Sequence, residues 1–334
     1  MTQNDNSSVL SGSVSPQRVA PRDHGGGLDG AMACFGGTRC DWIDLSTGIN
    51  PCPWPVAASV WSADAWTALP DRAAAQALND AARTLWQVPD GMDVLPAPGA
   101  SALIARIPAL MRAGRVHIAQ PTYNEHAAAF TAHGWKVTPL DDGALDARVI
   151  VHPNNPTGAW SLPSALENLP LVIVDESFCD IAPEQSLLPH LPHEGGIILK
   201  SFGKFWGLAG LRLGFAIGDP VLLARLAEAM GPWPVSGPAL AIGAAALADR
   251  EWADQTRRRL AADSLRLDGL MQKAGAKVTG GTDLFRLYTV NDAAAWQARL
   301  AAARIWTRIF PWSDRLIRLG MPAPALWDRI EAAV

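Results

Sequence analysis

Six residues, Leu171-Val172-Ile173-Val174-Asp175-Glu176, constrain the fold more than any other part of the chain. An unbroken apolar run closed by two acids reads as a strand buried on both faces, delivering a carboxylate at its C-terminal end. A strand of that kind belongs in a parallel sheet covered by helices. Strand-like runs near residues 93–96, 115–119, 135–140, 148–152, 196–200 and 211–217 alternate with helical stretches, an α/β pattern with a mostly parallel central sheet. At 334 residues and 49% hydrophobic content the chain can bury a large core and suits two linked domains.

Residues 1–22 are polar and Ser/Pro-rich and are expected to be disordered. Residues 23–55 hold many glycines and little periodicity, which suggests an arm packed over an active site and a small domain. A large domain is expected over 56–235 and a smaller α+β domain over 236–334, entered by one long helix from Ala239 to Leu260. Within that helix Arg257-Arg258-Arg259 reads as a solvated face. Ala276 to Thr279, Leu284 to Val290 and the segments around Arg308 and Arg318 supply the smaller sheet. The 14 tryptophans, four of them early at Trp54, Trp61, Trp66 and Trp86, fit core or dimer-interface packing.

Composition narrows the class of function. A formal net charge of -4 leaves no basic footprint for nucleic acid. Neither a signal-peptide pattern nor an apolar run of membrane-spanning length is present, and a cytoplasmic enzyme is expected. Cys34, Cys40, Cys52 and Cys179 lack paired metal-binding spacing and read as free thiols, so no metal is expected.

The chemistry concentrates in Ser201-Phe202-Gly203-Lys204-Phe205-Trp206-Gly207-Leu208-Ala209-Gly210-Leu211-Arg212. A buried, cation-flanked lysine favours the neutral amine that condenses with an aldehyde, and pyridoxal 5'-phosphate (PLP) supplies one. Ser201 and Arg212 place a hydroxyl and a guanidinium fork within reach of its phosphate. Upstream, Pro98-Gly99-Ala100-Ser101 opens a helical stretch from Ala102 to Met111, so that Ala100 and Ser101 form a phosphate cup. In His152-Pro153-Asn154-Asn155-Pro156-Thr157-Gly158 a strand ends in a polar turn, where Asn155 can donate to the ring phenolic oxygen and Asn155-Pro156 is a candidate cis peptide. Asp175 pairs with the protonated ring nitrogen and keeps the ring an electron sink. Tyr123 either stacks on the ring or packs as a core aromatic.

These motifs, in this order, resemble the fold-type-I PLP enzymes of the class I/II aminotransferase superfamily over nearly the whole chain after about residue 22. The resemblance implies that Lys204 holds the cofactor covalently and that Ala100, Ser101, Tyr123, Asn155, Asp175, Ser201 and Arg212 bind it. Phe178 stands where many aminotransferases carry a tyrosine that binds the same phenolic oxygen, leaving Asn155 as its main donor.

His24-Gly25-Gly26, followed by Asp41-Trp42-Ile43-Asp44-Leu45-Ser46-Thr47-Gly48-Ile49-Asn50-Pro51, is similar to the threonine-phosphate decarboxylases of cobalamin biosynthesis. Gly27 departs from the asparagine usual at that place. This resemblance implies PLP-dependent conversion of L-threonine O-3-phosphate to (R)-1-amino-2-propanol O-2-phosphate in a homodimer. His24, Gly25 and Asn50 would recognise the substrate, and Arg308 and Arg318 would hold its α-carboxylate. Histidinol-phosphate aminotransferases share the lysine run and stand as the alternative. A non-catalytic PLP-fold ligand sensor is a third reading, opposed by the complete set of cofactor residues.

Overall fold

The computed structural model describes residues 22–141, 143–166 and 169–334. The expected N-terminal tail lies outside them, apart from Arg22. Seven strands form the large sheet: β1 (Asp93–Ala97), β2 (Arg115–Ile118), β3 (Lys136–Thr138), β4 (Ala147–Val151), β5 (Leu171–Asp175), β6 (Gly196–Ser201) and β7 (Gly214–Gly218). Their order is β1-β7-β6-β5-β4-β2-β3. Every pairing from β3 through β6 is parallel, and β7 runs antiparallel to both of its neighbours.

All five residues of β4 and of β5 are buried, as a sheet covered on both faces requires, and apart from Arg148 and the terminal Asp175 they are apolar. One apolar cluster joins Val149, Ile173 and Leu199 to the helices on one side, and another joins Val172, Val174 and Ile198 to the other. The two faces of each strand therefore feed separate cores. Asp175 and Glu176, adjacent in the chain, diverge in the same way. Glu176 accepts an ion pair from Lys200 at 2.7 Å, with Asp180 at 3.5 Å from the same ammonium. The Trp86 and Trp206 indoles both donate to Asp180. His152 is neutral in this setting: Nδ1 accepts from the Ser161 amide, Nε2 faces the Gln185 carbonyl, and burial lowers its pKa.

A second sheet contains β8 (Lys277–Thr282), β9 (Phe285–Thr289), β10 (Arg308–Phe310) and β11 (Ser313–Gly320), in the antiparallel order β10-β11-β9-β8. The arm forms a small two-stranded sheet of its own, and its Leu45 carbonyl accepts from the Gly320 amide of β11. Ile43–Asp44 pairs in parallel with Ile305–Trp306, a bridge that the sequence did not reveal. Further along, the Asn50 and Trp54 amides donate to the Lys204 and Trp206 carbonyls at 3.0 Å each.

Two helix expectations need correction. The stretch from Ala239 to Leu260 is two helices, Gly237–Ala248 and Arg250–Lys273, broken at Asp249, whose side chain accepts from the Trp252 amide and so caps the second helix. The stretch from Ala102 to Met111 is a helix over Ala100–Ile104 followed by a 3-10 turn over Ile107–Leu110, with Pro108 at its second position. Nor is the arginine run wholly solvated. Arg257 donates to the Asp180 carbonyl and Arg259 to Asn50. All four cysteines are free thiols. No helix among the described residues is long and apolar enough to cross a membrane.

Candidate active site

The parallel strands end at one place, and chemistry-bearing residues sit just beyond those ends. β5 terminates in Asp175, β4 leads into the turn carrying Asn155, and β6 ends at Ser201 with Lys204 three residues on. Tyr123 caps the helix Asn124–Ala132. Ala100, Ser101, Tyr123, Asn155, Asp175, Ser201, Lys204 and Arg212 all line a single cavity. Asn155-Pro156 is cis.

Lys204 is half-buried, its side chain enclosed by the cavity walls. Burial lowers its pKa to about 8, helped by Arg318 and Arg212 and opposed by Asp175. Its ammonium lies 5.5 Å from the Phe178 ring centroid. Phe178 packs edge-on against Phe285 at 5.0 Å, a pair so close to Gly48 that a Cβ there would approach within 2.7 Å of the Phe178 ring.

Asp175 has the opposite tendency to Lys204. Burial alone would raise its pKa, but the His126 ring at 2.8 Å and the Ser177 hydroxyl and amide at 2.5 and 3.0 Å hold it below its ordinary value. The carboxylate therefore stays ionised while 2% exposed. Tyr123 is pushed up to about 12 by burial and by Asp175, so it remains a neutral phenol.

Donors for an anion gather where Gly99, Ser101, Ser201 and Arg212 meet. Gly99 has φ +86°, and a Cβ there would lie 2.9 Å from Arg212 Nη2. Only glycine lets that guanidinium lie against the turn. One end of the cavity thus offers hydroxyls and a fork of N–H donors, the other a lone carboxylate, with a low-pKa lysine between them. That donor set fits PLP, with its phosphate at Arg212 and its ring nitrogen at Asp175.

A second cavity opens beyond Asn155 and Tyr123, lined also by Asp23, His24, Gly25, Trp312, Arg308 and Arg318. Arg308 and Arg318 are direct partners in the β10–β11 ladder, so both guanidinium groups enter this space. Arg318 is 5% exposed, donating through Nη1 to Asn155 Oδ1 and through Nη2 to the Ser46 carbonyl at 2.8 Å. Burial, and then Arg308, lower its pKa to about 9. Arg308 donates to the Asp23 carboxylate at 2.7 Å and to the Asp23 carbonyl at 3.0 Å.

His24 lines this cavity while its Nε2 lies 2.8 Å from Glu125, which also receives both nitrogens of the Arg22 fork. Gly25 lies so close to the arm that a Cβ would approach the Ser46 carbonyl within 2.4 Å. Asn50 is a correction. Its Nδ2 donates to the Phe205 carbonyl, its Oδ1 accepts from Arg259 and from the Cys52 amide, and it lines neither cavity. Buried, with both ends of the amide engaged, it braces the lysine loop away from either cavity.

Sequence reasoning missed His126, Ser177, Ser46 and Asp23. For His126 a signal was present: it follows Tyr123 by three residues on one helix, the spacing that puts both on one face. The contacts of Asp23 carry no local pattern, since Arg308 is 285 residues away.

A mostly parallel sheet with a buried lysine, an ionised aspartate and an anion cup beyond its strand ends defines a PLP enzyme of the aminotransferase type. The family model for aminotransferase class I and II matches residues 41–323, and the chain belongs to this PLP-dependent family. It is 40% identical over 329 residues to a threonine-phosphate decarboxylase of a Sinorhizobium species, covering 93% of this chain and 96% of that one. It is 39% identical over 328 residues to a threonine-phosphate decarboxylase of Pseudomonas aeruginosa, covering 93% and 97%. Among solved structures, histidinol-phosphate aminotransferase from Sinorhizobium meliloti in complex with pyridoxal-5'-phosphate shares the fold, with a TM-score of 0.74 and 20% identity over 86% of this chain and 89% of that one.

Proposed function

We propose that this chain decarboxylates L-threonine O-3-phosphate to (R)-1-amino-2-propanol O-2-phosphate, as its relatives' names suggest, for cobalamin biosynthesis. The observation that carries the reading is the placement of Arg318 and Arg308 side by side in a cavity that adjoins Lys204 through Asn155. Two guanidinium groups suit a ligand with two anionic groups. Arg318, the deeper one and bonded to Asn155, takes the α-carboxylate. Arg308, which the resemblance sets on the carboxylate together with Arg318, lies one strand further out and near His24, and is assigned the phosphate instead.

Bound in the first cavity, PLP supplies an electron sink for the pair released at the substrate α-carbon. Lys204 would hold it covalently, with Ala100, Ser101, Ser201 and Arg212 on its phosphate and Tyr123 against its ring. Asp175, kept ionised by His126 and Ser177, would hold a proton on the ring nitrogen. Arg318 occupies the Oδ1 of Asn155, so Nδ2 would donate to the phenolic oxygen of the ring. Arg318 fixes the carboxylate so that the bond from the α-carbon breaks and CO2 departs. Lys204, freed when the substrate amine takes its place, would carry the proton that its Nζ delivers to the α-carbon.

A cytoplasmic homodimer is part of the same proposal. Trp66, Leu69 and Trp233 are exposed and lie on or beside the packed helices Asp64–Thr67 and Gly237–Ala248, which supports burial against a second copy.

The test is incubation of the PLP-loaded enzyme with threonine phosphate and no keto acid, measuring CO2. Stoichiometric release supports decarboxylation. Faster 2-oxoglutarate-dependent transamination of histidinol phosphate would replace this reading with the aminotransferase one.

A further inference from the structure

The outer cavity contains an acid of its own. Among the described residues lining it, Asp23 is the carboxylate set against Arg308 and Arg318. Its Oδ1 accepts from Arg308 Nη1 at 2.7 Å and its carbonyl from Arg308 Nη2 at 3.0 Å, so both terminal nitrogens of the guanidinium are engaged by one residue. A second anion brought to that end of Arg308 meets a negative charge in contact with the same group. It must either displace the carboxylate or bear the repulsion.

The two contacts differ in permanence. The Asp23 carbonyl is also held by Asn124 Nδ2 at 2.9 Å, which ties the backbone of the arm to the cavity wall. The carboxylate has a side chain 42% exposed, whereas that of Arg308 is 13% exposed. Rotation of the Asp23 side chain releases the carboxylate to water without moving the arm. Arg308 then keeps its place and gains a free Nη1. Neighbouring charges do not substitute for Asp23, because Glu125 is occupied by Arg22 and His24.

We propose that Asp23 is an internal competitor for the anion that Arg308 receives, and that it sets the affinity of the outer site for phosphate-bearing ligands. The proposal rests on the assignment of the substrate phosphate to Arg308. A site whose competent form is only partly populated binds with an apparent affinity reduced by that fraction. Ligands that engage Arg308 bear this cost, and ligands that reach only Arg318 meet Asp23 through its field alone. Asp23 therefore narrows the advantage of a phosphorylated amino acid over its free alcohol and raises the concentration at which the site fills.

The experiment uses the PLP-loaded enzyme and calorimetric titration with inorganic phosphate, and separately with unphosphorylated threonine, for wild type, Asp23→Ala and Asp23→Asn. Phosphate affinity should rise about two- to fivefold in both variants, the range expected for release of a partly exposed ion pair. Threonine affinity should rise by clearly less than phosphate affinity, because Asp23 touches Arg308 and acts on Arg318 only through its field. Adding Arg308→Ala to Asp23→Ala should remove the gain. Unchanged or weaker phosphate binding in the variants overturns the proposal, because Asp23 would then be orienting Arg308 rather than competing for it. An equal gain for threonine also overturns it, since the effect would be a general change of field. Asp23→Asn keeps the shape of the side chain and serves if the alanine variant folds poorly. Phosphate titration reads Asp23 directly, so failure of threonine-phosphate decarboxylation in wild type would count against the proposed function and leave this outcome readable.

Discussion

Arg318 donates to Asn155 Oδ1, and this contact joins the two cavities. Because the oxygen of the amide is taken, its Nδ2 is the end left to face the cofactor. The same guanidinium is, after burial, the largest influence holding the Lys204 pKa down. A residue placed to grip the substrate carboxylate therefore also tunes the lysine.

Arg318→Met is expected to act at both places. Substrate KM should rise by at least ~30-fold, the scale for removing one partner of a buried charge pair. The pH midpoint for cofactor attachment should also move upward, because a positive neighbour of Lys204 has gone. Stopped-flow PLP binding across pH measures the second effect. An unmoved midpoint would mean that Arg318 does not act on Lys204.

Asp175→Asn should retain PLP yet lose turnover by ~10²–10³-fold, the scale associated with losing one electrostatic stabiliser in a dry site. A neutral amide cannot hold the ring-nitrogen proton as the carboxylate does. His126→Leu should give a smaller loss, because Ser177 still bonds Asp175. Steady-state kcat with matched cofactor occupancy checks both, and near-normal turnover in Asp175→Asn would remove that residue from its proposed role.

Buried strands were legible because each carries its own signal, an apolar run ended by a turn or an acid. β4, β5 and β6 were located within a residue or two, and with them Asn155, Asp175, Ser201 and Lys204. What escaped depends on long-range pairing. Nothing local in Ile43–Asp44 marks it as the partner of Ile305–Trp306, and Asn50 read as a substrate ligand because an asparagine beside glycine and proline looks the same whether it faces a ligand or a neighbouring carbonyl. The break at Asp249 was hidden by alanine-rich sequence on one side and strong helix formers on the other, though aspartate is a good cap.

Asn50→Ala should destabilise the protein more than an exposed substitution does. It strips the Phe205 carbonyl and Arg259 of a partner in a buried setting, worth about 1–3 kcal/mol. The effect should appear as a lower denaturation midpoint in apo and PLP-loaded protein alike. Because the arm's amide bond to the Lys204 carbonyl comes from backbone, substrate KM should change little. A large rise in KM with unchanged stability would restore Asn50 as a substrate ligand.

The last prediction concerns pH. Burial, Arg318 and Arg212 hold the folded pKa of Lys204 at about 8, below the ordinary 10.5. Between those two values the unfolded chain binds the extra proton and the folded chain does not, so stability of the apo protein contributed by this group rises with pH across that window. Below about 8 the folded lysine is protonated and bears the cost of a poorly hydrated charge beside Arg318 and Arg212. Cofactor attachment follows the same titration, because only the neutral amine attacks an aldehyde. The rate of PLP attachment to apo enzyme should therefore climb about tenfold per pH unit below 8 and level off above it. Lys204→Ala should abolish attachment at every pH, and borohydride reduction of the wild type followed by peptide mapping should label Lys204. A plateau reached only near the ordinary lysine value, or label on another lysine, would show that burial does not prime this amine.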